Sequence, residues 1–222
     1  MSIEEPFVLE FCGLPGSGKS TVSHLLAKKL NAEGIKVQEP IYNFDHLSSS
    51  NERRRGKLKN FMLGLLSDLL LVPIIKRVSL KLGFNLVYIF NLLRKNRRTN
   101  IILDQGVAQG LWSLVYEEQV ILQKLLERWV ERIPNVPGSY IIIYLKCDSE
   151  IVIERLKSIK DDFSRMGRAL KAGQEVQIES SNELFSEVLN FLKVDSRFEV
   201  IEVASIGTPE QISAEILKVF EI

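Results

Sequence analysis

The chain has 222 residues, 45% of them apolar and 26% charged, and its 29 Lys and Arg against 28 Asp and Glu leave a formal net charge of +1. This suits one globular domain, residues 1–222, with a full core. It excludes a disordered or fibrous chain and gives no overall pull toward nucleic acid. The start, Met1 to Pro6, lacks the basic and apolar regions of an export signal. The most apolar block, Phe61 to Ile75, is broken by Asp68 and Pro73 and is too short to span a bilayer, so a cytoplasmic protein is expected. Cys12 and Cys147 lie in apolar strand-like runs and read as small buried hydrophobes in a reducing compartment.

In chain order, Phe7 to Cys12 is the first predicted strand. A helix starts inside the following glycine loop and runs to about Leu30, with Val22, Leu25, Leu26 and Leu30 as its apolar stripe. Glu33-Gly34 ends it, and Ile35 to Gln38 reads as a short second strand. Ile101 to Asp104 is a third strand, Tyr140 to Lys146 a fourth and Phe198 to Val203 a fifth. Runs of β-branched and aromatic residues suit strands buried on both faces of a parallel sheet. Leu122, Leu125, Leu126, Trp129, Val130 and Ile133 recur at helical spacing before Pro134. A last helix opens at Thr208-Pro209-Glu210-Gln211, a capping box, with Ile212, Ile216, Val219 and Phe220 on its core face.

Between the second and third strands, residues 44–98 exceed a simple crossover. Arg53-Arg54-Arg55-Gly56-Lys57 precedes two apolar helical stretches, and Arg94-Lys95-Asn96-Arg97-Arg98 follows them. Such an insertion would overhang the carboxyl ends of the strands, where open α/β sheets bind ligands. A helical subdomain packing on itself is the favoured reading. A surface for an anionic amphiphile or membrane, through residues 53–98, is the less favoured one. His24 and His46 read as surface residues, with no second metal ligand at helical spacing.

Gly13-Leu14-Pro15-Gly16-Ser17-Gly18-Lys19-Ser20 matches G-x-x-x-x-G-K-S/T, with a buried strand before it and an amphipathic helix after it. The glycines let the backbone curl so that successive N–H groups form an anion nest at the positive end of a helix dipole. Lys19 would reach the outer phosphates of ATP, the Ser20 hydroxyl would ligate Mg²⁺, and Thr21 would add a hydroxyl to an inner phosphate. Asp104, an acid at the end of a strand that follows such a loop, fits a second Mg²⁺ ligand.

Beyond the loop, Glu39-Pro40, Asp104-Gln105-Gly106 with Gln109-Gly110, Glu154-Arg155-Leu156 with Arg165 and Arg168, and Gly207-Thr208-Pro209-Glu210 resemble the thymidylate kinase branch of the nucleoside monophosphate kinases. The resemblance covers roughly half of the chain, in patches, and only the phosphate loop is specific by itself. It implies a three-layer P-loop kinase fold with a five-stranded parallel sheet in the order 2-3-1-4-5. It also implies a mobile lid over 157–173, where Arg165 and Arg168 act on the transferred phosphoryl group with Lys19 and Asp104. Gly207 and Thr208 would border the adenine, and Glu39, Gln105, Gln109 and Arg155 would face the acceptor.

Two departures stand out. The family's arginine after the strand-end aspartate is here Gln105, and Ile41-Tyr42-Asn43-Phe44 replace the glycines that follow Glu-Pro. From Phe44 to Arg98 nothing matches. The expected activity is phosphoryl transfer from ATP to a small acceptor, a nucleoside monophosphate such as thymidylate. Left open are a phosphosugar or amphiphilic alcohol as acceptor, and an ATPase or switch acting on a protein partner with Gln105 near the water. The sequence also leaves a homodimer open.

Overall fold

The computed structural model describes residues 5–39, 80–118, 123–158, 166, 167, 170 and 178–219. Five parallel strands lie in the order β2-β3-β1-β4-β5, as the family resemblance implies. β1 is Phe7–Cys12, β2 Val37–Gln38, β3 Asn100–Leu103, β4 Ser139–Lys146 and β5 Phe198–Ala204. The central strand is buried throughout, and its neighbours take it in register, with Leu9 opposite Ile102 on β3 and Ile141 on β4. The second strand is shorter than the Ile35–Gln38 expected. The end of helix α1 (Lys19–Ala32) explains this, because the Ile35 N–H still donates to the Leu30 carbonyl at 2.9 Å, and Asn31 then bonds the Val37 N–H and carbonyl where the strand begins.

Alternation along β1 separates two cores. Phe7, Leu9 and Phe11 join Val22, Leu26 and Leu30 of α1 and Ile212 and Ile216 of the last helix. Val8 and Cys12 face the other layer, with Leu86, Leu111, Trp112 and Phe185. That layer holds α2 (Leu80–Lys95), α3 (Val107–Glu118), α4 (Gln123–Glu131) and α6 (Ile178–Lys193). Trp112 and Tyr144 each stack on the fully buried Phe185, with centroids 5.1 Å away in each pair. Two further helices, α5 (Ser149–Ser158) and α7 (Pro209–Val219), complete the seven found among the described residues.

The last helix starts as its sequence predicts. The Thr208 N–H donates to Gln211 Oε1 at 2.8 Å, and the Gln211 N–H donates to Thr208 Oγ1 at 3.3 Å. Both cysteines are free and buried. No helix among the described residues is long and apolar enough to cross a membrane. Of the predicted insertion only the part from residue 80 is described. The basic run at 53–57, the apolar block at 61–75, and Arg165 and Arg168 of the lid lie outside the described residues.

Candidate nucleotide site

The loop between β1 and α1 curls as its glycines require. Gly16 and Gly18 have φ of 86° and 87°, in the left-handed region that a side chain disfavours. A methyl group on Gly13 would come within 2.7 Å of the Leu145 carbonyl oxygen, so the loop lies against β4 in a way only glycine permits. The Ser17 N–H donates to Leu14 O at 3.1 Å, which closes the turn. Among the described residues no acceptor takes the N–H groups of Gly16, Gly18, Lys19, Ser20 or Thr21, and α1 begins without a side-chain cap. The Ser17 hydroxyl is buried and also lacks a partner among them. These are the unpaired donors that an anion satisfies at a helix N-terminus.

Lys19 is buried, and its ammonium donates to the carbonyls of Gly13 and Leu14, each at 2.8 Å. Burial pulls its pKa down to about 8, with the nearby Asp104 carboxylate acting in the opposite direction. The ammonium is held by neutral carbonyls rather than by an acid, so it can exchange them for phosphate oxygens without breaking an ion pair. Ser20 Oγ donates to Asp104 Oδ2 at 3.2 Å across the gap from α1 to the end of β3. Burial also raises the Asp104 carboxyl, with the Ser20 bond and the Lys19 charge pulling the other way. A hydroxyl and a carboxylate form a hard-oxygen pair that suits Mg²⁺, which completes its shell from phosphate and water.

On the β4–β5 side a cleft of about 380 Å³ opens beside the loop, lined among others by Gly16, Gly18, Arg155, Ser205 and Gly207. Arg155 is held there by neutral acceptors. Its Nη1 donates to Gly16 O and to Ser205 Oγ, each at 3.2 Å, and Ser205 Oγ donates to Ser17 O at 2.7 Å. The structure thus places Arg155 against the phosphate loop, with Thr208 just beyond Gly207 at the start of α7. A larger cavity of about 430 Å³ lies at the amino ends of β4 and β5, away from the loop. Its Arg197 is engaged by Asp195 and by the carbonyls of Val130 and Ile133.

On the β3–β2 side, Gln105 is exposed at the strand end and Glu39 lies just past β2. His24 Nδ1 is 2.9 Å from Glu39 Oε2. Gln109, in contrast, points back into the protein, where its Oε1 accepts the Gly13 N–H at 3.2 Å. The residue that sequence reasoning missed is Glu10. It is fully buried in β1 and accepts from Val107 N at 2.8 Å, Gln109 N at 3.2 Å and Tyr140 Oη at 2.8 Å. Burial pushes its pKa up to about 7, with those donors holding it lower than burial alone would. The signal was present: one acid in the centre of an otherwise apolar strand. Ser205 gave no comparable signal.

The family model AAA_18, an AAA domain, matches residues 10–169. The match spans well over half of the chain, and the chain belongs to this family. With its sheet order and phosphate loop, it is a P-loop protein of the thymidylate and nucleoside monophosphate kinase-like type. It is similar to the thymidylate kinase of Leptospira borgpetersenii serovar Hardjo-bovis (strain L550), 23% identical over a gapped alignment 229 residues long that covers 99% of this chain and 96% of that relative. In fold it is similar to YorR protein of Bacillus subtilis, solved in complex with phosphorylated GDP. That match has a TM-score of 0.52 and 17% identity and covers 96% of this chain and 95% of the other. It is likewise similar to deoxyadenosine kinase of M. mycoides with bound dATP, with a TM-score of 0.53, 18% identity, and coverage of 97% of this chain and 100% of the other.

Proposed function

We propose that the protein is an ATP-dependent kinase, a single domain over residues 1–222 acting in the cytoplasm, which passes the γ-phosphoryl group to a nucleoside monophosphate such as thymidylate. The observation that carries the reading is the set of N–H groups of Gly16, Gly18, Lys19, Ser20 and Thr21, which no acceptor takes among the described residues, bordered by the Lys19 ammonium and the Ser20–Asp104 pair. In phosphoryl transfer the protein mainly positions groups and neutralises charge. Lys19 supplies a mobile cation to the outer phosphates, and Ser20 and Asp104 hold Mg²⁺, which when bound draws charge from the phosphate oxygens. Thr21 offers its hydroxyl to an inner phosphate. Gly13, Pro15, Gly16, Ser17 and Gly18 shape the nest, and Gly207 and Thr208 flank the base in the cleft beside Arg155.

Glu39 and Gln105 stand at the strand ends where an acceptor would approach, and Arg165 and Arg168 are assigned to the lid. The relatives that support this reading include a thymidylate kinase and a deoxyadenosine kinase. Gln105, where the resembled family has arginine, favours a second reading with a different acceptor, a phosphosugar or an amphiphilic alcohol. Acceptor-dependent ADP formation, screened over nucleoside monophosphates, nucleosides, phosphosugars and lipid-like alcohols, decides between them. Turnover with thymidylate or another monophosphate supports the first reading, and turnover only with another class supports the second. ADP release that is equally fast without any acceptor overturns both in favour of an ATPase.

A further inference from the structure

Glu10 is an acid where the fold asks for an aliphatic residue, and the placement of its bonds suggests why. All of its partners except Tyr140 belong to one segment, the turn from Asp104 into α3. Gly106 in that turn packs so closely on the Glu10 carboxyl that an added methyl group would overlap it. The turn is therefore pressed onto the central strand and fastened there by two backbone N–H groups. Gln109 carries the connection onward. Its N–H donates to Glu10 Oε1, while its own Oε1 accepts the Gly13 N–H at the entrance to the phosphate loop. The circuit closes on the far side, where Ser20 Oγ meets Asp104 Oδ2 at 3.2 Å.

We propose that Glu10 and Gln109 are positioning residues that fix the spacing between Ser20 and Asp104, the two protein groups offered to Mg²⁺, an assignment that rests on the nucleotide reading above. The closed path gives the reason. Ser20 is tied to Gly13 through the loop and Asp104 to Gln109 through the turn, so the Gly13–Gln109 bond and the Glu10 anchor decide how far apart the two oxygens lie. Mg²⁺ demands near-ideal octahedral geometry, unlike Ca²⁺, so a loosened spacing weakens the metal's share of binding before it weakens the phosphate nest. A neutral amide at position 10 cannot serve all three donors, because its NH₂ would oppose a backbone N–H. Removing the acceptor at position 109 opens the circuit at the loop.

The test is calorimetric titration of ATP into the full chain, with Mg²⁺ and with the metal chelated, for wild type, Glu10→Gln, Gln109→Met and Gln109→Glu. In wild type, Mg²⁺ tightens ATP binding. In Glu10→Gln and Gln109→Met the tightening shrinks by about tenfold, while affinity for metal-free ATP stays within about twofold of wild type. Gln109→Glu, which keeps an acceptor for the Gly13 N–H, recovers most of the metal effect. Equal losses with and without Mg²⁺ reduce these residues to a scaffold and overturn the assignment, as does an unchanged metal effect in both variants. Wild type that binds no ATP, or binds it without regard to Mg²⁺, overturns the nucleotide reading and this assignment together. Should Glu10→Gln fail to fold, the contrast between Gln109→Met and Gln109→Glu decides alone.

Discussion

The two flanks of the phosphate loop are built from different materials. Toward β4 and β5 the site is mostly backbone: glycines with positive φ, the carbonyls of Gly16 and Ser17, and a cleft closed by Ser205 and Arg155. Toward β3 and β2 it is side chains on strand ends: Asp104, Gln105 and Glu39, with His24 against the last of these. A backbone site tolerates much change in sequence, because N–H groups survive substitution so long as the curl survives. A side-chain site changes its chemistry with one residue.

That contrast breaks first at Lys19. Lys19→Met removes the only cation that the described loop residues hold at the nest, and a loss of phosphoryl transfer of about 10²–10³-fold or more is expected. ATP should raise the variant's melting temperature less than it raises that of wild type, as mass action predicts for weakened binding. The fold should persist, since the substitution takes a desolvated charge out of the interior. A variant that keeps its transfer rate would sink the assignment of the loop.

On the other flank, Asp104→Asn keeps the size of the side chain and its bond with Ser20 while deleting the charge. Transfer should drop by about 10–100-fold, with part of the loss recovered at high Mg²⁺. Metal-free ATP should bind it as well as it binds wild type. Indifference to Mg²⁺ concentration would move the metal away from this carboxylate.

A pH titration separates the flanks without mutation. In the free protein the Lys19 ammonium titrates at about 8, because burial disfavours its charge. Bound phosphate holds that proton to higher pH, so binding above pH 8 takes up a proton. Affinity for ATP must then fall as pH rises through 8, approaching about tenfold per unit. In Lys19→Met the fall should vanish. In Asp104→Asn it should remain, since that variant keeps the Lys19 ammonium. A slope that survives Lys19→Met assigns the proton to another group.

Much of this architecture is legible in the sequence, for reasons visible in particular residues. Five strand-like runs and one glycine loop are legible locally, because a buried parallel strand is written as a run of apolar residues and a phosphate loop as a fixed spacing, whereas the strand order follows from the family resemblance. The last helix is equally plain in Thr208, Pro209 and Gln211, whose capping bonds form as expected. The hidden part depends on contacts distant in sequence. Glu10 is ninety-odd residues from the turn it anchors, and no local pattern states that partnership. The same holds for Gln109, which the family resemblance makes a ligand-facing residue but whose side-chain oxygen accepts the Gly13 N–H. Helix α6 carries Phe185 into the core, yet nothing in its own residues says which strand or helix it will cover. Local rules reveal elements and loops, whereas buried polar partnerships require the fold.

The smallest expected effect concerns Arg155, where the two flanks differ most in kind. Its guanidinium ties the loop carbonyl of Gly16 to Ser205 and lines the cleft, so it acts on the nucleotide flank and not beside Asp104. A hydrogen bond from a charged donor is worth about 1.5–3 kcal/mol, and since these two hold the loop and do not touch ATP, only part of that reaches binding: Arg155→Ala should weaken ATP binding by about two- to tenfold. Because the residue lies away from β3, the Michaelis constant for the acceptor should not move. The reverse pattern, with acceptor binding weakened and ATP binding intact, would transfer Arg155 to the acceptor side. It would also show that the two flanks are joined by side chains across the loop and are not divided by it.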